Sequence, residues 1–425
     1  MFETLRNAWN VVDLRKKILF TIGLLLVFRT GSFLPVPGLD REVMQQIIGQ
    51  GGDLFAFLDN ITGGGLSNLS IFAMSITPYI NASIIMQLLT IAIPSLEKLA
   101  KEGEEGRKII AQYTRYGTVV LGLIQAIGLY VSLSMSNAVH EPGILTAVTV
   151  VITFTAGTAF LMWLGEQITE YGIGNGISLI IFAGIISRVP SGTLYLVQKA
   201  GDNLGMWLLV AGLLALMVVA IGLVVWVQQA ERRIPVQYAK RVVGRKMYGG
   251  QSTHIPIKVA MAGVIPIIFA MSMMMFPATV VSFISRNPTG VLGWLNQNIF
   301  SPSSFVYAIM NALLIVGFTF FYTFVIFNHV EVANTLKKNG GFIPGIRSGK
   351  PTADYIKNVL NRVTIFGGLF LATISILPYL IQWLTPFQNI YFGGTALLIV
   401  VGVAIDTVKQ LESQMLMRNY RGFLE

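Results

Sequence analysis

The three histidines and their polar neighbours are the residues best able to support acid–base chemistry. His140 and His329 each lie within two residues of a glutamate, and His254 lies two residues after a serine. None of these pairs has the HExxH spacing of a zinc protease or completes another catalytic motif. The chain also contains no cysteine, which excludes a thiol nucleophile and a thiolate metal site. The sequence therefore predicts a protein that is not an enzyme, without catalytic residues, metal or cofactor.

Two glycine-rich segments contain part of a nucleotide-binding motif but lack the rest. Residues 344–350 end in Gly-Lys, yet Pro344 stands where a P-loop needs its first glycine, and Pro351 follows the lysine. The run GIGNG at 172–176 joins two apolar segments with no strand before it, which indicates a tight connector between helices. Any energy for work must therefore come from a partner or a gradient.

Charged residues are scarce and lie almost entirely outside the apolar runs. Hydrophobic residues make up 54% of the 425 residues and charged residues 12%, about half the share found in soluble domains. Within the apolar runs the one formally charged side chain is Arg29, which we interpret as snorkelling to the lipid headgroups. Ion-coupled transporters usually carry buried acidic or histidine residues in their spans. Their absence from these runs argues against the first alternative function, a multi-span secondary transporter.

Ten apolar runs approach the length needed to cross a bilayer core of about 30 Å. They cover residues 18–34, 71–93, 117–136, 144–164, 176–186, 207–227, 259–283, 305–327, 363–384 and 390–405. With the N-terminus inside, the cytoplasmic segments carry 25 of the 30 lysines and arginines, which is the positive-inside pattern. The other five are Arg29, Arg41, Arg188, Lys199 and Arg286. The sequence therefore predicts an all-α integral membrane protein with both termini in the cytoplasm.

Two sets of five runs favour two halves of opposite orientation, as in many transport proteins. We predict an N-terminal half over residues 1–190, an external connector over 191–205 and a C-terminal half over 206–425. No small-residue cleavage site follows the first run, so we interpret it as a retained helix rather than a signal peptide.

A short apolar segment and three glycines precede the second run. Apolar residues at helical spacing predict an amphipathic helix over residues 53–62, and they are Leu54, Phe57, Leu58 and Ile61. The glycines that follow predict a flexible hinge, and they are Gly63, Gly64 and Gly65. Ten residues cannot span a bilayer, so the helix is either a re-entrant, movable stopper or an interfacial helix on the outer surface.

Isoleucines four residues apart mark one face of two runs. Ile76 and Ile80 share a face around Pro78, and Ile177 and Ile181 share a face at the start of the fifth run. If these faces converge, they form an apolar constriction that blocks ions by dewetting. On spacing alone, contact with lipid or with neighbouring helices is the simpler interpretation.

Two basic segments, 229–258 and 331–362, are longer than adjacent helices need. They either serve only to fix the topology or dock a large acidic partner. Their length favours docking.

Long motifs along nearly the whole chain resemble the SecY family, the channel subunits of the bacterial Sec translocon. They are QYTRYGT at 112–118, GTAFLMWLGEQITEYGIGNGISLIIFAGI at 157–185, ERRIPVQYAKR at 231–241, QSTHIPIKVAMAGVIPIIFA at 251–270, GGFIPGIRSG at 340–349 and YFGGTALLIVVGV at 391–403. The resemblance implies ten helices in two inverted halves that form a clamshell around a central pore, with a short re-entrant plug helix. It implies translocation of unfolded secretory polypeptides and lateral release of membrane proteins.

The resemblance also implies roles for particular residues. A ring of apolar side chains that seals the pore falls on Ile76, Ile80, Ile177, Ile181, Ile268 and Ile399. The plug falls on about residues 53–65, and Gln87 lies beside a lateral gate between the second and seventh spans. Docking of the ATPase SecA or the ribosome falls on the basic segments, at Arg232, Arg233, Arg241, Arg245, Lys246, Arg347 and Lys350. The family often has proline where this chain has Ser348, so we expect a less rigid loop tip.

The implied partners are the subunits SecE and SecG, the motor SecA, the ribosome, and precursors that carry signal sequences. The implied location is the lipid bilayer of the bacterial plasma (inner) membrane. A membrane-insertion factor without a through-pore is the other alternative to a protein-conducting channel.

Overall fold

The structure is a computed structural model that describes residues 6, 8–49, 58–59, 62–201, 203–238, 241–243, 246–248, 252–284, 290–301, 304–385 and 394–421. Helices account for most of it, which confirms the helical prediction. The helices of the N-terminal part are α1 (Val12–Gly31), α2 (Arg41–Gly49), α3 (Thr77–Ala92), α4 (Pro94–Lys101), α5 (Glu104–Met135), α6 (Ile144–Tyr171), α7 (Gly176–Ser187) and α8 (Val189–Ala200). Those that follow are α9 (Leu204–Gln229), α10 (Ile265–Ile284), α11 (Gly290–Leu295), α12 (Phe305–Ile326), α13 (His329–Lys338), α14 (Lys350–Leu384) and α15 (Thr395–Arg421). A π-helix over Asn296–Phe300 follows α11.

Six helical stretches of the described residues are long and apolar enough to cross a membrane, and the bent pair α3–α4 makes up to seven. Each of the ten predicted runs overlaps a helix. The helices α5 and α14 begin 13 residues before the predicted runs, because hydropathy marks only the apolar part of a helix that continues into polar sequence. Helices α1 and α15 also contain charged residues near one end, so only part of each helix is apolar.

The fifth run continues beyond its predicted end. The helices α7 and α8 follow each other with one residue between them, and residues 176–200 together reach the length of a span. Part of the predicted external connector, 191–200, is therefore helical. The role of that connector stays a prediction.

The largest apolar cluster lies where helices of both predicted halves meet. Buried side chains from α3, α6, α7, α10 and α15 contribute to it, as do residues of α1, α9, α12 and α14. A second cluster packs α2 and residues 66–74 against α5 and α6. The core that brings distant parts of the chain together is thus made by apolar helix faces, while many outward-facing leucines and valines remain exposed, as membrane helices require.

Five short strands add to the predicted helices. They are β1 (Glu231–Tyr238), β2 (Arg241–Val243), β3 (Lys246–Tyr248), β4 (Ser252–Lys258) and β5 (Gly341–Phe342). β1 lies between β4 and β5 and is antiparallel to both, while β2 pairs with β3. Both long basic segments therefore meet in one small sheet, a pairing across about a hundred residues of sequence that local patterns do not indicate.

Candidate functional site

All six isoleucines that the resemblance selected belong to the central apolar cluster. Four of them are buried and two are half-buried against it; the buried ones are Ile76, Ile80, Ile181 and Ile399, and the half-buried ones are Ile177 and Ile268. They come from four separate elements of the chain, the N-terminal end of α3, α7, α10 and α15. The structure thus brings together residues that lie more than 300 positions apart in the sequence.

The start of α3 lies inside this cluster. The sequence predicted a span from residue 71, but the helix begins at Thr77, with Pro78 in its first turn. Proline lacks an amide hydrogen and fits best in the first turn of a helix, where that hydrogen has no acceptor within the helix, which agrees with the later start. Ile76 is the residue just before the helix, and its carbonyl accepts a hydrogen bond of 3.0 Å from the Ile80 amide. The two side chains are therefore held one turn apart.

The position of α7 depends on a close approach to α6. Asn175 caps α7 by accepting a hydrogen bond of 3.1 Å from the Ser178 amide. Gly176 lies so close to α6 that a Cβ atom there would be 2.0 Å from the Gly165 carbonyl oxygen. This contact fixes the height and rotation of the helix that carries Ile177 and Ile181.

The GIGNG segment is the tight connector that the sequence predicted. α6 ends at Tyr171 and α7 begins at Gly176. The Ile173 amide donates a hydrogen bond of 3.1 Å to the Thr21 hydroxyl of α1. Ile173 also packs with Leu14 of α1 and Leu411 of α15. The connector thus contacts both α1 and α15.

The predicted plug segment falls partly outside the described residues. Leu54, Phe57 and Ile61 lie outside them, and Leu58 is helical and half-buried. The three glycines are buried, and Gly63 and Gly64 adopt positive φ angles of 65° and 95°. A Cβ on Gly63 would be 2.8 Å from the Cα of Gly184 on α7. Glycine is needed at residue 63 for both conformation and close packing, and the flexible hinge stays a prediction.

A polar network that the sequence reasoning missed holds the same segment. Asp59 is 5% exposed and forms an ion pair with Arg188, through its Oδ2 and the arginine Nη2. Its other oxygen, Oδ1, accepts a hydrogen bond of 2.6 Å from the Ser67 amide. The signal available in the sequence was an acidic residue inside an otherwise apolar amphipathic stretch.

The Arg29 side chain contacts other parts of the protein, which corrects its interpretation as a residue that snorkels to lipid. Its Nη1 donates a hydrogen bond of 2.5 Å to the Gly63 carbonyl. Its guanidinium carbon also lies 4.5 Å from the centre of the Phe33 ring, a cation–π contact. The hydrophobicity of α1 predicted the helix but not the inward direction of this side chain.

The basic segments form a single platform. Alternate residues of β1, Ile234 and Val236, are buried with Leu336 of α13 and Ile356 of α14 in a separate apolar cluster. Exposed cations surround this cluster, and they are Arg232, Arg233, Arg347 and Lys350. Thr352 anchors the loop before α14 by donating a hydrogen bond of 2.8 Å to the Arg347 carbonyl. The neighbouring cations Arg241 and Lys246 lie on β2 and β3, and Arg245 lies outside the described residues.

The second and seventh predicted spans, between which the resemblance places a lateral gate, overlap α3 and α10. These two helices pack against each other. Gln87 lies on α3 and is half-buried.

Comparison with known proteins decides the family. The SecY family model matches residues 70–408. Over the full length of both chains, the protein is 51% identical to the protein translocase subunit SecY of Halalkalibacterium halodurans and 47% identical to that of Bacillus subtilis. The chain belongs to the SecY family. Membership confirms the prediction, made from the motifs, that this is a subunit of a protein-conducting channel. It contradicts the alternative of a secondary transporter.

Solved structures share the SecY fold at lower sequence identity. A protein-conducting channel matches with a TM-score of 0.67 at 20% identity, covering 94% of this chain and 92% of that one. A SecY channel whose plug domain stabilises the closed state matches at 0.66 and 19% identity, and Sec61 in a canine ribosome–channel complex at 0.63 and 18%, with the same coverage. At these identities the likeness shows the fold alone.

Proposed function

We propose that this chain is the central pore subunit of the channel through which unfolded secretory polypeptides cross the bacterial plasma membrane. Ten spans in two inverted halves surround the pore, with both termini in the cytoplasm. The observation that carries the proposal is the convergence of six isoleucines from four elements in one apolar cluster. Gly63, which precedes α3 in the chain, packs against Gly184 of α7, a helix that contributes to this cluster.

An apolar constriction suits the transport of arbitrary sequences. Apolar contacts are not directional, so the isoleucine side chains can adjust to any residue that passes. When the channel is at rest, the same narrow apolar ring excludes water and ions by dewetting. The chain is thus a passive conduit, and the driving force comes from a partner.

The segment around residues 53–65 acts as a plug on the outer side of the ring. Support comes from the packing of Gly63 against α7, which carries two of the ring isoleucines. A related SecY channel is described as closed by its plug domain. Displacement of the plug by an entering chain is the opening step.

The contact between α3 and α10 acts as a lateral gate. Separating these helices would connect the pore to lipid, so an apolar segment of a precursor could leave sideways into the bilayer. Gln87 on α3 would then meet the signal sequence as it passes.

The basic platform docks the motor on the cytoplasmic side. Arg347 and Lys350 are exposed beside the sheet that joins both basic segments. Such a patch attracts an acidic surface at long range. We propose that SecA and the ribosome bind here in turn and that SecE and SecG complete the channel. A structural neighbour, Sec61, is described in a ribosome–channel complex.

The test is transport by the purified chain with SecE and SecG in liposomes, with SecA, ATP and a secretory precursor added. Precursor that becomes protected from external protease only with ATP is the expected result. Its absence, with active SecA and a competent precursor, would refute a through-pore and favour an insertion factor.

A further inference from the structure

The isoleucine-bearing face of α15 becomes acidic two helical turns after Ile399. Asp406 lies seven residues after Ile399, so the two side chains share one face of the helix and lie about 10 Å apart along its axis. Ile399 is 2% exposed within the central apolar cluster, whereas Asp406 is exposed. The face that closes the cluster at Ile399 is therefore open to solvent at Asp406.

The segment that leads into α10 lies beside the same carboxylate. A Cβ on Gly263, just before α10, would be 3.8 Å from Asp406 Oδ2. One residue further along, Val264 lies beside Gly402 of α15, where a Cβ would be 2.8 Å from the valine Cγ2. The two segments thus run side by side in opposite directions. Asp406 lies beyond the cluster on the side that faces the cytoplasm in the proposed topology, close to the start of the helix that carries Ile268.

The carboxylate of Asp406 is not engaged by the protein itself. Lys258 of β4 and Lys409 of α15 are close enough to act on its charge. Among the residues that the structure describes, however, no side chain forms an ion pair or a hydrogen bond with it. A carboxyl group in contact with water is ionised at neutral pH. Asp406 therefore presents an unused negative charge next to the cluster.

The neighbouring helix α9 is polar at the adjacent level. Gln228, near its end, is 8% exposed, and its Nε2 has no hydrogen-bond partner within the described part of the chain. A Cβ on Gly402, one turn before Asp406, would be 3.2 Å from this nitrogen. A buried amide without a partner is unfavourable. This level thus lacks partners for both a carboxylate and an amide donor, and the cationic side chains and backbone carbonyls of a passing polypeptide can supply them.

Charged side chains meet two unequal environments along this path. Beside Asp406, a lysine or arginine gains an opposite charge while it stays in contact with water. At the isoleucine cluster it must leave both that charge and its water, and burial of an unpaired charge is strongly unfavourable. The step between the two levels is therefore steeper for a cationic side chain than for a neutral one of similar size.

We propose that Asp406 is a specificity-determining residue that binds lysine and arginine side chains of the transported polypeptide at the cytoplasmic entrance to the isoleucine cluster. The inference rests on the proposed channel function and adds to it a dependence on the charge of the transported chain. Basic stretches pause at Asp406, whereas neutral stretches pass without delay. A stretch rich in cations is thus favoured to stay on the cytoplasmic side.

The test compares two secretory precursors that differ only in one short block, which is lysine in one and glutamine in the other. Each is transported by the chain with SecE and SecG in liposomes, with SecA and ATP but without a membrane potential, and the rate at which it becomes protected from protease is measured. The unmodified chain should transport the lysine precursor more slowly. Asp406→Asn should reduce the ratio of the two rates by up to about fivefold, the factor equivalent to one exposed ion pair.

Two further variants show whether the negative charge itself is responsible. Asp406→Glu keeps the charge and should keep the slow passage of the lysine precursor. Asp354→Asn makes the same chemical change at an exposed aspartate on α14 and should leave the ratio as it is in the unmodified chain. Each variant is first checked for elution as a monodisperse complex.

The ratio of rates also separates cation binding from a structural role. A displaced α15 or weaker docking of the motor would slow both precursors alike, whereas loss of the bound cation changes the lysine precursor alone. An unchanged ratio in Asp406→Asn, equal slowing of both precursors, or a loss in Asp406→Glu as large as in Asp406→Asn would overturn the inference and leave the channel standing. If the unmodified chain protects neither precursor, the proposed function itself fails.

Discussion

Replacement of Gly176 by alanine probes the contact that sets α7 against α6. The added Cβ would be 2.0 Å from the Gly165 carbonyl oxygen and 2.8 Å from the Cβ of Ile168. Real Cβ atoms essentially never come closer than 3.0 Å to such a neighbour, so α7 must withdraw by about 1 Å. Because the obstacle is backbone rather than a flexible side chain, we expect Gly176→Ala to cost about 1–3 kcal/mol of stability, the usual range for overpacking.

The same shift should loosen the constriction, because α7 carries Ile177 and Ile181. Stability is measured by thermal unfolding of the complex in nanodiscs, followed by tryptophan fluorescence. Resting ion conductance is measured in planar bilayers. We expect a midpoint lower by on the order of a few degrees together with increased leak.

Gly222→Ala is the matched control for this substitution. Gly222 lies within α9, and an added Cβ there would meet nothing within 4 Å. Alanine favours a helix over glycine by about 0.5–1 kcal/mol, so this variant should be unchanged or slightly more stable. A Gly176→Ala protein with the midpoint and conductance of the unmodified chain would refute the argument that this close approach positions the isoleucines.

Two further predictions concern the cytoplasmic platform and the helix packing. Arg347→Glu should reduce SecA-driven, ATP-dependent transport and leave the unfolding midpoint unchanged, because the side chain is exposed. Lys357→Glu, which replaces an exposed cation on the body of α14, is the control. Equal transport by both variants would contradict the docking role of Arg347. Asn311→Ala should lower the stability by about 0.6–2 kcal/mol in thermal unfolding. The reason is a buried hydrogen bond of 3.0 Å that Asn311 Nδ2 on α12 donates to Ser375 on α14. An unchanged midpoint would show that this bond contributes nothing to stability.

Apolar patterns predicted most of the helices, because a helix that crosses a bilayer needs a certain length and an apolar composition. Both can be read from one sequence. The position of Ile76 and Ile80 illustrates the limit, since the helix start depends on how Pro78 fits a first turn. Convergence of the isoleucines could not be read from spacing, because it depends on helices that meet only in three dimensions. The motifs of the family supplied that information.

The polar contacts were harder to predict than the helices. Arg29 is compatible with snorkelling in the sequence, and only the fold brings the Gly63 carbonyl within its reach. Asp59 and Arg188 lie 129 positions apart, so no local pattern links them. The pairing of β1 with β5 likewise depends on two segments separated by several helices. Long-range contacts of this kind carry little signal in one sequence.

Passage of a polypeptide through the isoleucine cluster can be tested most directly with a single disulfide. The chain has no cysteine, so Ile181→Cys would carry its only thiol. A precursor with one cysteine is arrested in transit and treated with a copper–phenanthroline oxidant, which joins two neighbouring thiols as a disulfide. We predict an ATP-dependent cross-link at this position and none at Leu208→Cys, a residue 68% exposed on α9. A precursor that fails to cross-link at residue 181, or that cross-links equally at residue 208, would contradict passage through this site.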